Sequence, residues 1–354
     1  MSVIVSIVMP VYNAEKYLRY TLDSVKAQTF KQYELIAIND GSTDNSLKIL
    51  QDYQRNMKQL RIVDQENTGV SIARNNGIKA VEGEYLCFLD ADDYLHPDYL
   101  GNLYEIMDKE KADIVCCDYQ VFYTKECEFS GDENTFNDSY TENIYDTYGK
   151  ETFDYMMSIG LGTALWNKMY RKSLLLDNGI QFFPESSYGE DMFFNWKAVL
   201  VSRSVFLIKR KLYGYRLSET GASVKYHPEL FEHYEREYKQ LIQFGKIYNF
   251  DISVLKKSVQ INLAHRISSF LRMNIRRNVN WIEKYKYLKY LREKESIDQA
   301  LQTWNEYDKE KTNKKERKIL ELLKNKKYMY VFINSIYSEK KMQLARKIKT
   351  HHNR

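Results

Sequence analysis

Apolar positions change period repeatedly along the first 120 residues. Val3 to Met9 is a β-branched run that predicts a buried strand, and Tyr17 to Val25 carries the 3.6-residue spacing of a helix. Glu34 to Asn39, Ser46 to Tyr53, Leu60 to Val63, Val70 to Ala80 and Tyr85 to Leu89 continue the exchange of strand and helix. Such alternation predicts an α/β unit with a mostly parallel sheet, helices on both faces and right-handed crossovers. Asp113 to Tyr123 reads as a further strand, and polar Lys125 to Tyr148 as an excursion or loop over a site. From Gly160 the pattern is mixed and aromatic, with a helical stretch from Asp191 to Val199. After about His227, apolar residues recur at helical spacing to the end, interrupted by the highly charged Glu306 to Lys318, a linker or exposed helix. No internal repeat is evident.

Charge divides the chain where the period changes. Residues 1–224 hold 23 Lys+Arg against 33 Asp+Glu, and residues 225–354 hold 30 against 15, so a net charge of +5 conceals an acidic part and a basic part. The two parts are expected to be a catalytic domain (1–224) and a basic, mainly helical region (225–354). Three readings stay open for the basic region: a solvated helical bundle, an oligomer interface, or an anchor to an anionic inner leaflet through Arg272, Arg276, Arg277, Lys284, Lys286 and Lys289. At 354 residues and 44% apolar content the chain can bury a large core. No stretch approaches the roughly 20 apolar residues of a membrane span, and no signal-peptide pattern precedes the first strand, so a cytoplasmic protein is expected, with peripheral contact to the inner face of the membrane as an extension. Cys87, Cys116, Cys117 and Cys127 lack zinc-site spacing and are expected to be reduced thiols.

The chemistry concentrates behind Tyr85 to Leu89, where Asp90-Ala91-Asp92-Asp93 crowds three carboxylates at the carboxyl end of a strand. Open α/β sheets bind ligands at that edge. Like charges there call for a cation, and Mn²⁺ or Mg²⁺ held by one or two carboxylates completes its shell with substrate phosphates. The other strands end in matching groups. The first offers Pro10, a Tyr12 ring for base stacking, and Asn13. The second offers Asp40, an acceptor for a base N–H, and Asp44, a cap for the next helix. Arg74 lies one turn inside the helix after Asn67-Thr68-Gly69.

Pro10-Val11-Tyr12-Asn13, Asn39-Asp40-Gly41-Ser42-Thr43-Asp44, Asn67-Thr68-Gly69 through Ala73-Arg74-Asn75, and Asp90-Ala91-Asp92-Asp93 together resemble the family-2 glycosyltransferases. The resemblance covers roughly residues 1–220 and implies the GT-A fold, a Rossmann-like mixed sheet flanked by helices, and inverting transfer from a nucleotide sugar, UDP-linked by preference. It implies that Tyr12 and Asp40 hold the uracil, Arg74 the base or ribose region, and Asp90 the ribose. Asp92 takes the metal, with Asp90 and Asp93 as further candidates. Pro10, Asn13 and Ala91 complete the donor side, Arg216 after Tyr213-Gly214-Tyr215 is the candidate diphosphate contact, and His227 a further metal or phosphate ligand.

Displacement of a nucleoside diphosphate also needs a base for the acceptor hydroxyl. Glu190-Asp191, at the start of a helix, supplies carboxylates and resembles the family's Glu-Asp pair, which implies Asp191 as general base and Glu190 as an orienting group. Trp166 offers a face for a sugar ring, with Asn167 and Lys168 as polar contacts on the acceptor. Each has a structural alternative: capping for Asp90, Asp92 and Asp93, an ion pair for Arg74, helix-dipole complement for Glu190 and Asp191, core packing for Trp166 and Tyr12, a plain loop residue for His227. The acceptor is expected to be a glycan or lipid-linked saccharide of a bacterial surface polymer. Without a Gln-x-x-Arg-Trp segment or a membrane span, addition of one or a few sugars is expected. A sugar-nucleotide pyrophosphorylase is disfavoured by the missing Gly-rich, basic N-terminal loop, and a nucleic-acid binder by the acidic first part.

Overall fold

A computed structural model describes residues 2–124, 126–129, 141–143, 163–184, 189–217, 230–275, 281–307, 314–327, 330–331 and 333. They divide into two compact units, Met1–Ser218 and Glu219–Arg354.

In the first unit, strands β1 (Val5–Val11), β2 (Tyr33–Asp40), β3 (Leu60–Gln65) and β4 (Tyr85–Phe88) run parallel in the order β3-β2-β1-β4. Helices α1 (Leu18–Lys26), α2 (Ser46–Gln54) and α3 (Val70–Ala80) make the crossovers. Every residue of β2 is buried, as in a sheet covered on both faces. Leu35 and Ala37 join the main core with Ile7, Met9 and Cys87, while Ile36 and Ile38 meet Ala73 of α3 on the other face. Helix α3 seats closely because Gly77 has no side chain: a Cβ there would lie 2.3 Å from Val8 Cγ1. That fit fixes Arg74, three residues earlier on the same helix.

Beyond β4 the sheet becomes mixed, a departure from the mostly parallel reading of the strand–helix pattern and in keeping with the GT-A expectation. Strand β8 (Lys168–Arg171) enters antiparallel between β4 and β6 (Ile114–Phe122), and β9 (Val205–Arg216) runs parallel to β6. The short β5 (Tyr94–Leu95) and β7 (Thr141–Asn143) both pair antiparallel with β9. Among the described residues of the unit, helices α4 (Tyr99–Lys109), α5 (Lys172–Asp177) and α6 (Glu190–Val201) follow. Tyr99, Leu100, Leu103 and Met107 form the buried stripe of α4, a helical period present in the sequence but unused in the reading above. Strand β7 falls inside the stretch read as a polar excursion.

The second unit contains α7 (Leu230–Ile247), α8 (Ile252–Ile275), α9 (Trp281–Arg292), α10 (Glu295–Tyr307) and α11 (Lys314–Lys324). Leu255, Val259, Leu263 and Ile267 bury one face of α8, and α10 answers with Ile297, Leu301 and Trp304. The charged stretch from Glu306 spans the end of α10 and the start of α11. Lys286 and Lys289 are exposed; the side chains of Arg272, Arg276, Arg277 and Lys284 lie outside the described residues. Among the described residues no helix is long and apolar enough to cross a membrane. All four cysteines are buried free thiols.

Candidate active site

The loops after β1, β2, β3 and β4 meet at the carboxyl edge of the parallel strands. Tyr12 is 54% exposed, so its ring is open for stacking. Pro10 is half-buried within β1. Asn13, at φ 50, clips its loop to the next: its Oδ1 accepts from Thr43 N at 2.8 Å and its own N–H donates to Ser42 Oγ at 3.1 Å. Asp44 accepts from Ser46 N at 2.9 Å, as a cap does, and from Glu15 N at 3.0 Å. Asp40 is buried and binds the third loop. Its Oδ1 accepts from Thr68 N at 2.9 Å and Gln65 Nε2 at 2.8 Å, and its Oδ2 accepts from Gly69 N at 2.9 Å. With one bond on Oδ2, that oxygen retains acceptor capacity for a ligand N–H.

After β4 the three aspartates separate in role. Asp93 is wholly buried: Oδ2 accepts from the Tyr213 hydroxyl at 2.7 Å and Oδ1 from Arg216 N at 2.7 Å. Both oxygens are committed to β9, which corrects the expectation that Asp93 is a metal candidate; it anchors the loop. Burial, with Asp90 and Asp92 nearby, holds its carboxyl well above the usual range. Thr21 of α1 shares its hydroxyl between the Ala91 and Asp93 carbonyls, at 3.0 and 2.8 Å. Asp90 gives Oδ1 to Arg74 and keeps Oδ2, and Asp92 stands beside it half-buried. Burial, then the Asp90 charge, pushes the Asp92 carboxyl up to about 6. Among the described residues no group of three or more His, Cys, Asp or Glu is arranged as a metal cage. Two adjacent carboxylates fit a cation that takes its remaining ligands from phosphates.

Arg74 is 4% exposed and does not reach into the crevice as a base or ribose contact would require. Nη1 donates to Glu190 Oε1 at 3.0 Å and Asp191 Oδ1 at 2.6 Å, and Nη2 to Asp90 Oδ1 at 3.1 Å. Its guanidinium lies 5.4 Å from the Phe182 ring, and Nε is buried without a partner. Burial opposes its charge, but Asp191, Asp90 and Glu190 outweigh it and keep the group cationic. Asn75 fixes Phe182 by two bonds, Nδ2 to Phe182 O at 2.8 Å and Phe182 N to Oδ1 at 2.9 Å. Glu190 and Asp191 begin α6 after Gly189, whose φ of 83° suits glycine. Burial lifts the Asp191 carboxyl well above the carboxylate range; Arg74 opposes the shift, and Glu190 and Asp90 reinforce it.

Three expectations are corrected by packing. Trp166 is 8% exposed and stacked on Tyr213 and Tyr215, with centroids 4.5 and 5.3 Å away, so its place is the core and not an open sugar platform. Asn167 and Lys168 are buried with it. Asn167 Nδ2 donates to Cys117 O at 2.9 Å, and Lys168 Nζ to Asn167 Oδ1 at 2.8 Å, so neither is open to an acceptor. Arg216 lies with its guanidinium 4.3 Å from both the Tyr17 and Phe122 rings, donating to the Asp92 and Thr124 carbonyls; it supports the aspartate loop from beneath instead of extending over a diphosphate. His227 lies outside the described residues.

Thr21 and Phe182 are site-shaping residues that sequence reasoning passed over, and Asn75 and Tyr213 stood in quoted motifs without a role of their own. Thr21 carried a signal, a hydroxyl on the apolar face of α1 between Leu18, Leu22 and Val25.

Residues 6–177 match the model of the family described as Glycosyl transferase family 2. An uncharacterized glycosyltransferase of Bacillus subtilis, EpsJ, is 30% identical over 249 residues, 69% of this chain and 70% of that one. The chain belongs to glycosyltransferase family 2. The glycosyltransferase GlyA of Streptococcus pneumoniae is 32% identical over 276 residues, 75% of this chain; the match spans 39% of that relative's length. A crystal structure of Staphylococcus aureus TarS 1–349 with UDP-GlcNAc has the same fold, superposing with a TM-score of 0.66 at 21% identity and covering 97% of this chain and 92% of that one. The mixed sheet flanked by helices is the GT-A fold.

Proposed function

We propose that this family-2 member is a metal-dependent, inverting glycosyltransferase that moves a sugar from a UDP-linked donor to a hydroxyl of a glycan or lipid-linked acceptor in bacterial surface polysaccharide synthesis. The observation that carries the reading is the ion cluster in which Arg74 joins Asp90, on the donor side, to Glu190 and Asp191. It brings a carboxylate of raised proton affinity beside the paired aspartates. TarS is named a poly(ribitol-phosphate) β-N-acetylglucosaminyltransferase, which makes UDP-GlcNAc the first donor to try.

Tyr12 stacks on the uracil and the spare acceptor position of Asp40 takes its N–H. Asp92 and Asp90 would hold Mn²⁺ or Mg²⁺, which when bound supplies charge neutralisation for the departing diphosphate. Asp191 accepts the acceptor's hydroxyl proton as that oxygen bonds to the anomeric carbon. The bond from that carbon to the phosphate oxygen breaks, and its electron pair leaves with UDP. A base with a raised proton affinity suits this transfer. Glu190 and Arg74 position Asp191. The basic residues of 225–354 suit an anionic membrane surface that presents a lipid-linked acceptor.

The test is release of UDP from UDP-GlcNAc, with water as acceptor, in the presence of Mn²⁺. Asp191→Asn should lower the rate by about a hundredfold or more while UDP affinity stays within about twofold. Wild-type turnover in the Asp191→Asn chain would reject the assignment.

A further inference from the structure

Lys168 is fully buried on β8 and, among the described residues, forms no ion pair, an arrangement that is unfavourable unless hydrogen bonds and nearby charges compensate it. Its ammonium donates to the Ala164 carbonyl at 2.5 Å and to Asn167 Oδ1 at 2.8 Å. The same Ala164 carbonyl accepts from Asn195 Nδ2 at 2.9 Å, and Asn195 Oδ1 accepts from the Tyr170 hydroxyl. Asn195 lies one turn after Asp191 on the same side of α6. Asn167 completes the network by exchanging two 2.9 Å bonds with the backbone of Cys117 on β6. A chain of buried bonds therefore runs from β6 through the 164–168 turn to the helix that bears the candidate base.

We infer that Lys168 is a positioning residue for Asp191: through Ala164 and Asn195 it sets the seat of α6, and it holds a buried positive charge within electrostatic reach of the Asp191 carboxylate. The inference rests on the assignment of Asp191 as base. An apolar side chain at 168 would leave the Ala164 carbonyl and Asn167 Oδ1 each short of a donor and Asp191 with less compensation. The charges that act on Asp191 are Arg74 from α3, Glu190 on its own helix and Asp90 from the turn after β4, and on β8 both Lys168 and Tyr170 respond to the Asp191 charge. On β6, Cys116 lies opposite Lys168 in the strand register, with Cys117 next to it. Burial lowers the proton affinity of Lys168, and Cys116, Cys117 and Asp191 act to restore it. Because a nearby cation favours the ionised carboxylate, removing it must raise the pH at which Asp191 becomes a competent base.

The experiment is the pH profile of Mn²⁺-supported UDP-GlcNAc hydrolysis by the full chain, with Asp191→Asn as control and UDP affinity measured alongside. In Lys168→Met the acid limb should move up by about half a pH unit or more, with UDP affinity within about twofold of wild type; Lys168→Arg should leave the limb in place. Asn195→Ala, which breaks the brace without removing charge, should lower kcat about tenfold at an unmoved limb. An unmoved limb in Lys168→Met, or wild-type kcat in Asn195→Ala, overturns the inference. If Lys168→Met does not fold, a displaced limb in Lys168→Arg or wild-type kcat in Asn195→Ala overturns it equally. Hydrolysis that Asp191→Asn leaves intact would instead reject the base assignment beneath it.

Discussion

Arg74 reaches Asp191 across 117 positions of sequence, with Nη1 at 2.6 Å from Oδ1. The same guanidinium holds Glu190 and Asp90, so one cation serves three carboxylates from two parts of the chain. Removing it would leave three half-buried carboxylates without their shared cation. Arg74→Met is expected to cost about 3–5 kcal/mol of stability in denaturant unfolding and to abolish donor hydrolysis. Arg74→Lys keeps the charge but not the planar fork, and should fall between the two.

As the proposed metal ligand, Asp92 is expected to set the response to pH and to Mn²⁺. Its carboxyl sits at about 6 in the fold, above the ordinary 3.8. A raised acid contributes stability that is present below its unfolded value and is lost as pH rises through about 6. In the metal-free protein, charging Asp92 is therefore unfavourable, and a cation relieves that penalty. The rise in melting temperature on adding Mn²⁺ should grow from about pH 5 to about pH 7.5, and vanish in Asp92→Asn. Differential scanning calorimetry at matched ionic strength checks both.

The Asp93–Tyr213 bond is structural. Tyr213→Phe removes the hydroxyl that donates to Asp93 at 2.7 Å and leaves a buried carboxylate oxygen unpaired. A loss of about 1–3 kcal/mol is expected from urea unfolding.

Trp166 separates the core reading from the sugar-platform reading. Trp166→Ala should destabilise the fold by about 3–5 kcal/mol, because it empties the stack on Tyr213 and Tyr215. Gly77→Ala, forced against Val8, should cost about 1–3 kcal/mol and weaken activity through the displaced Arg74. Thermal unfolding of both variants, with hydrolysis assays, checks these values.

Much of the parallel half was legible because local period and strand-end chemistry agree there. The helix read from Val70 to Ala80 has those bounds, and β1, β2 and β4 lie within two residues of the expected runs. The mixed half was harder, since β8 and β9 take their partners from remote segments and their pairing leaves no local signature. Trp166-Asn167-Lys168 shows the limit for side chains. An aromatic beside two polar groups has the composition of a binding surface, and only the stack with Tyr213 and the bond to Cys117 reveal a core. Arg74 was visible as a conspicuous basic residue, but its partners at 190 and 191 enter through tertiary packing alone.

Titration of UDP into the full chain, with and without Mn²⁺, tests the central claim most directly. With Asp92 and Asp90 holding the cation, affinity should be at least about tenfold higher with Mn²⁺ than without, and the difference should disappear in Asp92→Asn. Equal UDP affinity with and without metal in the wild-type chain, or an undiminished metal effect in Asp92→Asn, would contradict it.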